Sequence, residues 1–139
     1  MSKSVCAVVG VGEGNGAALA RAFAAAGMAV ALLARRTDFT SQLAAELPDA
    51  RAYACDVTDA AAVANTFERI RAELRDPSTL VYNAGSGAWG DVESISVDSF
   101  ESAWRVNAYG ALAASQAVIP AMKAAGSGAI IFIGATASR

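Results

Sequence analysis

Val5-Cys6-Ala7-Val8-Val9-Gly10-Val11-Gly12-Glu13-Gly14-Asn15-Gly16 decides how this 139-residue chain folds. Residues 5–9 form an unbroken apolar run, the pattern of a strand covered on both faces, because a half-exposed strand would alternate polar and apolar positions. Residues 14–26 then read as a helix stopped by Gly27. Between strand and helix lies a turn rich in glycine. Such a turn bends tightly, lets backbone approach a diphosphate, and aims the unpaired N–H groups and partial positive charge of a helix N-terminus at an anion. Glycine turns also arise for geometry alone, but the strand before and the helix after favour the binding reading. Gly10, Gly12, Gly14, Asn15 and Gly16 are therefore the candidate phosphate cradle.

The alternation continues outward from this stretch. Residues 30–34 read as a second strand, and residues 38–47 as a second helix capped by Thr37 or Asp38 with Pro48 beyond it. Residues 52–55 make a third strand, 59–74 a third helix and 80–82 a fourth strand. Ser96 caps a long helical region that runs past Asn107 toward Pro120 and Lys123. Gly126 and Gly128 punctuate it, and residues 129–133 are the fifth strand. Parallel neighbours need crossover connections, so strands separated by helices predict an α/β fold with an open, doubly wound, mostly parallel sheet. Nothing in the sequence divides residues 1–139, and a single domain is expected.

Composition narrows the chemistry. There are 11 Lys and Arg against 13 Asp and Glu, a net charge of −2, so no basic excess points to nucleic acid. Histidine is absent, which removes a Ser-His-Asp triad, a His-x-x-His zinc pair and an imidazole base; no metal site is expected. Alanine fills 35 positions, so the hydrophobic content of 55% reflects small residues. Cys6 and Cys55 lie far apart in apolar runs and read as buried free thiols, as in a reducing cytoplasm. Residues 1–11 imitate a signal peptide but run into the glycine turn without a cleavage site. The uncharged stretch 22–34 falls short of the roughly 20 residues a membrane span needs.

The nucleotide is read from the end of the second strand. An unphosphorylated ribose usually meets an acidic residue there, about 20 residues past the glycines. Here Leu33-Ala34-Arg35-Arg36 puts two guanidiniums in that place, which suits a 2′-phosphate and favours NADP over NAD. An ordinary solvated loop is the plain alternative for Arg35 and Arg36, and Glu13 in the turn is a counter-signal, since it would repel a nearby phosphate.

Taken together, these residues resemble the short-chain dehydrogenase/reductase family. Gly10, Gly14 and Gly16 match its Gly-x-x-x-Gly-x-Gly turn. Cys55-Asp56-Val57 resembles its Asp-Val pair, in which the carboxylate accepts from the adenine amino group. Tyr82-Asn83-Ala84-Gly85 is similar to its Asn-Ala-Gly motif, where small residues admit the cofactor ribose and the asparagine braces the sheet. Val106-Asn107 with Gly110 resembles the helix asparagine that helps hold a water in a proton relay, so Asn107 is the candidate catalytic residue. The resemblance implies a Rossmann-like strand order of 3-2-1-4-5 and hydride transfer between NADP and a small carbonyl or alcohol. It also implies homo-oligomerisation of the complete protein.

The departures bear on mechanism. Counting without a gap, the family's catalytic serine falls at Ala135, which has no hydroxyl; Thr136 or Ser138 supplies one only if the loop is shifted. The Tyr-x-x-x-Lys motif would lie beyond Arg139, so the chain is expected to be the cofactor-binding portion, truncated after the fifth strand. Tyr53, Tyr82 and Tyr109 have no Lys four residues on and read as packing residues. Trp89 is expected in a substrate-pocket wall, and Trp104, at helical spacing from Phe100, in the core. Two other readings stay open. One is a dinucleotide-binding module without turnover; the other, from Gly12-Glu13-Gly14-Asn15-Gly16, is a methyltransferase holding S-adenosylmethionine.

Overall fold

The computed structural model describes residues 3–135. Its strands are β1 (Val5–Val9), β2 (Ala29–Ala34), β3 (Ala50–Ala54), β4 (Pro77–Tyr82) and β5 (Ala129–Phe132). They form one parallel sheet in the order β3-β2-β1-β4-β5, the expected Rossmann-like arrangement. β1 takes the centre because no side chain in it is polar and every residue in it is buried. It pairs with β2 from Val5 opposite Ala29 to Val9 opposite Leu33, and with β4 up to Val9 opposite Tyr82.

The helices are α1 (Asn15–Ala25), α2 (Asp38–Glu46), α3 (Ala60–Glu73), α4 (Val97–Trp104) and α5 (Gly110–Ala125). Ala17 and Ala20 of α1 and Leu43 of α2 pack on Cys6, Val8, Val30, Leu32 and Val81, covering one face. On the other face, Val63, Phe67 and Ile70 of α3 and Ala114 and Val118 of α5 meet Val5, Ala7, Val9, Leu33, Leu80 and Tyr82. Alternate residues of the same strands serve the two cores, and each large aliphatic side chain so buried contributes roughly 1.5–3 kcal/mol. Asp59 caps α3 by accepting from Ala62 N at 3.1 Å, and Ser96 caps α4 by accepting from Ser99 N at 3.1 Å. Thr37 holds the N-cap position of α2 without a side-chain bond.

Several boundaries differ from the sequence reading. The first helix begins at Asn15, with Gly14 as its N-cap. β3 starts two residues earlier than read, and β4 starts at Pro77, where the missing N–H is tolerated at a strand's first position. The long helical region is interrupted: a π-helical turn, Arg105–Tyr109, joins α4 to α5. Trp104 is not core; it is 47% exposed, with its ring 5.8 Å from that of Tyr109. α4 has no buried residue, so its apolar spacing marks an exposed face. Both cysteines are free and buried, and burial pushes the Cys6 thiol up to about 12, which keeps it protonated at neutral pH. Among the described residues no helix is long and apolar enough to cross a membrane.

Thr40, in the first turn of α2, is wholly buried, and among the described residues its hydroxyl has no hydrogen-bond partner. A buried polar group in that state is destabilising. Thr40→Val keeps the shape and the β-branch, and is expected to raise stability by about 1 kcal/mol. Thermal unfolding monitored by circular dichroism checks it, with a rise of about 3 °C expected for a chain of this size.

Candidate functional site

The carboxyl ends of β1, β2, β3 and β4 open onto one cleft of about 1100 Å³. It lies where the strand order reverses, with β2 on one side of β1 and β4 on the other, the place where open α/β sheets bind ligands. β1 leaves the sheet through Gly10, whose φ is +90°. A Cβ at Gly10 would lie 2.4 Å from the Ala84 nitrogen, and one at Gly16 would lie 2.6 Å from the Gly10 carbonyl oxygen. The fold itself requires these two glycines. Gly12 and Gly14 are different, because a Cβ at either would meet nothing within 4 Å. The space beside them is available for a close backbone approach.

The turn is braced from two strands. Gly10 N–H and Val11 N–H both donate to Leu33 O, at 2.9 and 3.0 Å. From β4, Asn83 N–H donates to Val9 O at 2.8 Å and its side-chain Nδ2 donates to Gly10 O at 3.0 Å. In α1, Ala17 N–H reaches back to Gly12 O and Ala18 N–H to Gly14 O. The N–H groups ahead of them are those a helix start leaves outside its ladder, and they carry its partial positive charge.

Asp56, just past β3, is exposed at the cleft. Its Oδ1 accepts from Thr58 Oγ1 at 2.7 Å and from Thr58 N at 2.9 Å. These bonds, with a smaller contribution from the charge of Arg35, hold the carboxyl below its usual range. Neither bond uses Oδ2. Arg35 and Arg36 stand exposed on the rim beyond β2. Arg21, Arg51, Arg69, Arg71 and Arg105 each reach a carboxylate, whereas among the described residues Arg35 and Arg36 form no such pair. Glu13 does not line the cleft; besides Asp56, the carboxylate that does is Asp38.

Of the residues read from sequence, Gly10, Gly12, Arg35, Arg36, Asp56, Val57, Asn83, Ala84 and Gly85 come together in this cleft. Gly14, Asn15 and Gly16 belong to the start of α1 and do not line it. Asn107 does not line it either. Its Oδ1 accepts from Ser86 N at 3.1 Å and its Nδ2 donates to Ser86 O at 2.6 Å, so it clamps the loop after β4. Thr58, Phe39 and Ser102 line the cleft and were not singled out from sequence, and Val106, quoted there only as the neighbour of Asn107, lines it as well. A signal existed for Thr58, since an Asp followed two residues later by Thr is an Asx-turn pattern.

The tyrosines offer no acid in the cleft. Tyr53 Oη donates to Glu73 Oε2 at 2.8 Å and Tyr82 Oη donates to Val106 O. Burial raises both phenols, that of Tyr82 to about 12. Trp89, expected in a pocket wall, is 92% exposed and does not line the cleft. Ala135 is exposed beyond β5; Thr136 and Ser138 lie outside the described residues.

Sheet order, glycine turn and switch-point cleft agree with a match to the short chain dehydrogenase family over residues 4–139, and the chain belongs to that family. The methyltransferase reading falls with that match. D-threitol dehydrogenase of Mycolicibacterium smegmatis is 34% identical over 131 residues, 91% of this chain and 50% of that protein. A metagenomic short-chain oxidoreductase in complex with NADP superposes with a TM-score of 0.93 at 30% identity, covering 100% of this chain and 65% of that one. NAD+-bound xylitol dehydrogenase superposes with a TM-score of 0.92 at 30% identity, covering 99% of this chain and 55% of that one. The chain thus spans about half the length of the curated relatives it matches.

The Thr58 hydroxyl donates more strongly to the ionised form of Asp56 and so favours it. Thr58→Val is expected to move the Asp56 carboxyl back up toward the ordinary aspartate value, measured by carbon NMR titration of the carboxylate. A lowered carboxyl contributes stability above its unfolded value that is lost as pH falls through the folded one. The variant should therefore lose less stability on acidification than the parent.

Proposed function

We propose that the chain holds NADP for an oxidoreductase that interconverts a small-molecule carbonyl and an alcohol. The observation that carries this reading is one cleft with guanidiniums on one rim, an ionised carboxylate beyond β3 and an open glycine backbone between them. Gly12, Gly14, Asn15 and the N-terminus of α1 would hold the diphosphate. Asp56 Oδ2 would accept from the adenine amino group, with Val57 beside it, and Arg35 and Arg36 would bind the 2′-phosphate. Asn83, Ala84 and Gly85 would border the ribose nearer the reacting end, with Gly10 and Gly16 keeping the turn closed beneath them. When bound, the cofactor would supply or accept the hydride.

In this reading Asn107 acts through the loop it clamps, consistent with its two bonds to Ser86. The alanine at position 135 favours a second reading, a dinucleotide-binding module without turnover. The buried thiols support a reducing, cytoplasmic setting. The exposed Phe100 and Leu112 support self-association of the complete protein.

Titration with NADPH and NADH, followed by quenching of tryptophan fluorescence, tests the cofactor assignment. Binding of neither at millimolar concentration would overturn it. Replacing Arg35 and Arg36 with alanine is expected to weaken NADPH far more than NADH, on the order of 1.5–3 kcal/mol per charged hydrogen bond lost. Equal losses would reduce the arginines to loop formers. Gly14→Val should weaken both dinucleotides together by filling the approach beside the backbone, with the fold checked by circular dichroism. Extending the chain with its native downstream sequence and assaying a range of carbonyls separates enzyme from binding module.

A further inference from the structure

Tyr82 ends β4 and immediately precedes the Asn83-Ala84-Gly85 turn. Its ring lies in the core between the sheet and α3 and α5, 3% exposed. Its hydroxyl leaves that core and donates to the backbone carbonyl of Val106. In an uninterrupted α-helix this carbonyl would accept from the N–H four residues on, that of Gly110. Here the Gly110 N–H bonds one residue further back, to Arg105 O. A side chain of the sheet has taken the place of that helical donor, and a side chain inserted in this way is a recognised cause of a π turn. Gly110 completes the fit, since a Cβ there would lie 2.3 Å from Tyr82 Oη.

Asn107 sits in the middle of the same turn, and both ends of its side-chain amide are bound to the backbone of Ser86. Ser86, Val106 and Ser102 line the cleft together with Gly85. We propose that the Tyr82 hydroxyl is a positioning group: by holding the Val106 carbonyl it sets the π turn, and the turn sets the Asn107 clamp that fixes the loop at the cleft mouth. A phenol is protonated at neutral pH, and burial raises this one further, so the donor is permanent. The sheet end thereby controls both walls of the opening, with Asn83 tied to the glycine turn and Tyr82 to the helical wall. The anchor stands on the geometry; its bearing on ligand affinity rests on the cofactor reading above.

Tyr82→Phe keeps the ring and removes only the hydroxyl. Amide exchange followed by NMR without ligand is expected to speed up about tenfold at Ser86, the scale of one lost hydrogen bond. The neighbouring Asn83 N–H, bonded to Val9 O, should be unchanged. Asn107→Ala should accelerate Ser86 similarly, and combining the two changes should add nothing further, as expected for groups acting in series. Unchanged Ser86 exchange in Tyr82→Phe, or equal acceleration at Ser86 and Asn83, would overturn the proposal by reducing Tyr82 to a packing residue. A chain that binds neither NADPH nor NADH yet shows the Ser86 response upholds the anchor and overturns only the cofactor reading.

Discussion

β1 and β4 come so close where they leave the sheet that a methyl group on residue 10 would lie 2.4 Å from the Ala84 nitrogen. That approach lets Asn83 reach across the joint and donate to the Gly10 carbonyl. The chain must turn at once after Val9, and it does so with a positive φ that glycine adopts without strain. The turn then carries α1 over one face of the sheet, and Gly16 repeats the exclusion by packing against the Gly10 carbonyl and Val11. A side chain at Gly10 would push the ends of β1 and β4 apart, and one at Gly16 would push α1 off the turn.

The two residues at the end of β4 divide the work of shaping that cleft. Asn83 fixes the glycine turn, and Tyr82 joins the opposite core and holds the π turn between α4 and α5. Small residues make this compactness possible. Ala17 and Ala20 let α1 sit close on the sheet, and Ala114 with Gly110 does the same for α5. At these positions alanine is a packing device: helices approach a parallel sheet closely because little side chain stands between them.

What could be read from sequence follows from which signals are periodic. The buried strands β1 and β2 are continuous apolar runs, and the glycine turn stands between two clear periods, so the alternation of strand and helix was legible; the sheet order came with the family resemblance. β3 was misplaced at its start because it is an edge strand in which the exposed Arg51 interrupts the apolar run after Ala50. The π turn was invisible, since it adds one residue to a helical turn without changing which side chains are apolar. The expectation of Trp104 in the core failed because spacing identifies a face and not what covers it. Asn107 was located by motif, but its partners depend on how the loop after β4 folds back, a contact between residues 21 positions apart.

The charges in the cleft can be sorted by what else explains them. Arg35, Arg36, Asp38 and Asp56 line it, two of each sign, so net charge alone would neither attract nor repel an anion. Asp38 opens α2, where a carboxylate is favoured by the helix N-terminus. Asp56 organises its own turn through Thr58. Both carboxylates therefore have local structural reasons for their positions. The charge of Arg35 acts on Asp56, but neither guanidinium caps a helix or forms an ion pair with a carboxylate among the described residues, as five other arginines do. Arginine forks carry several donors, and two side by side on a rim support the proposed phosphate site. In a cleft of balanced charge, this pair is what the proposed phosphate assignment rests on.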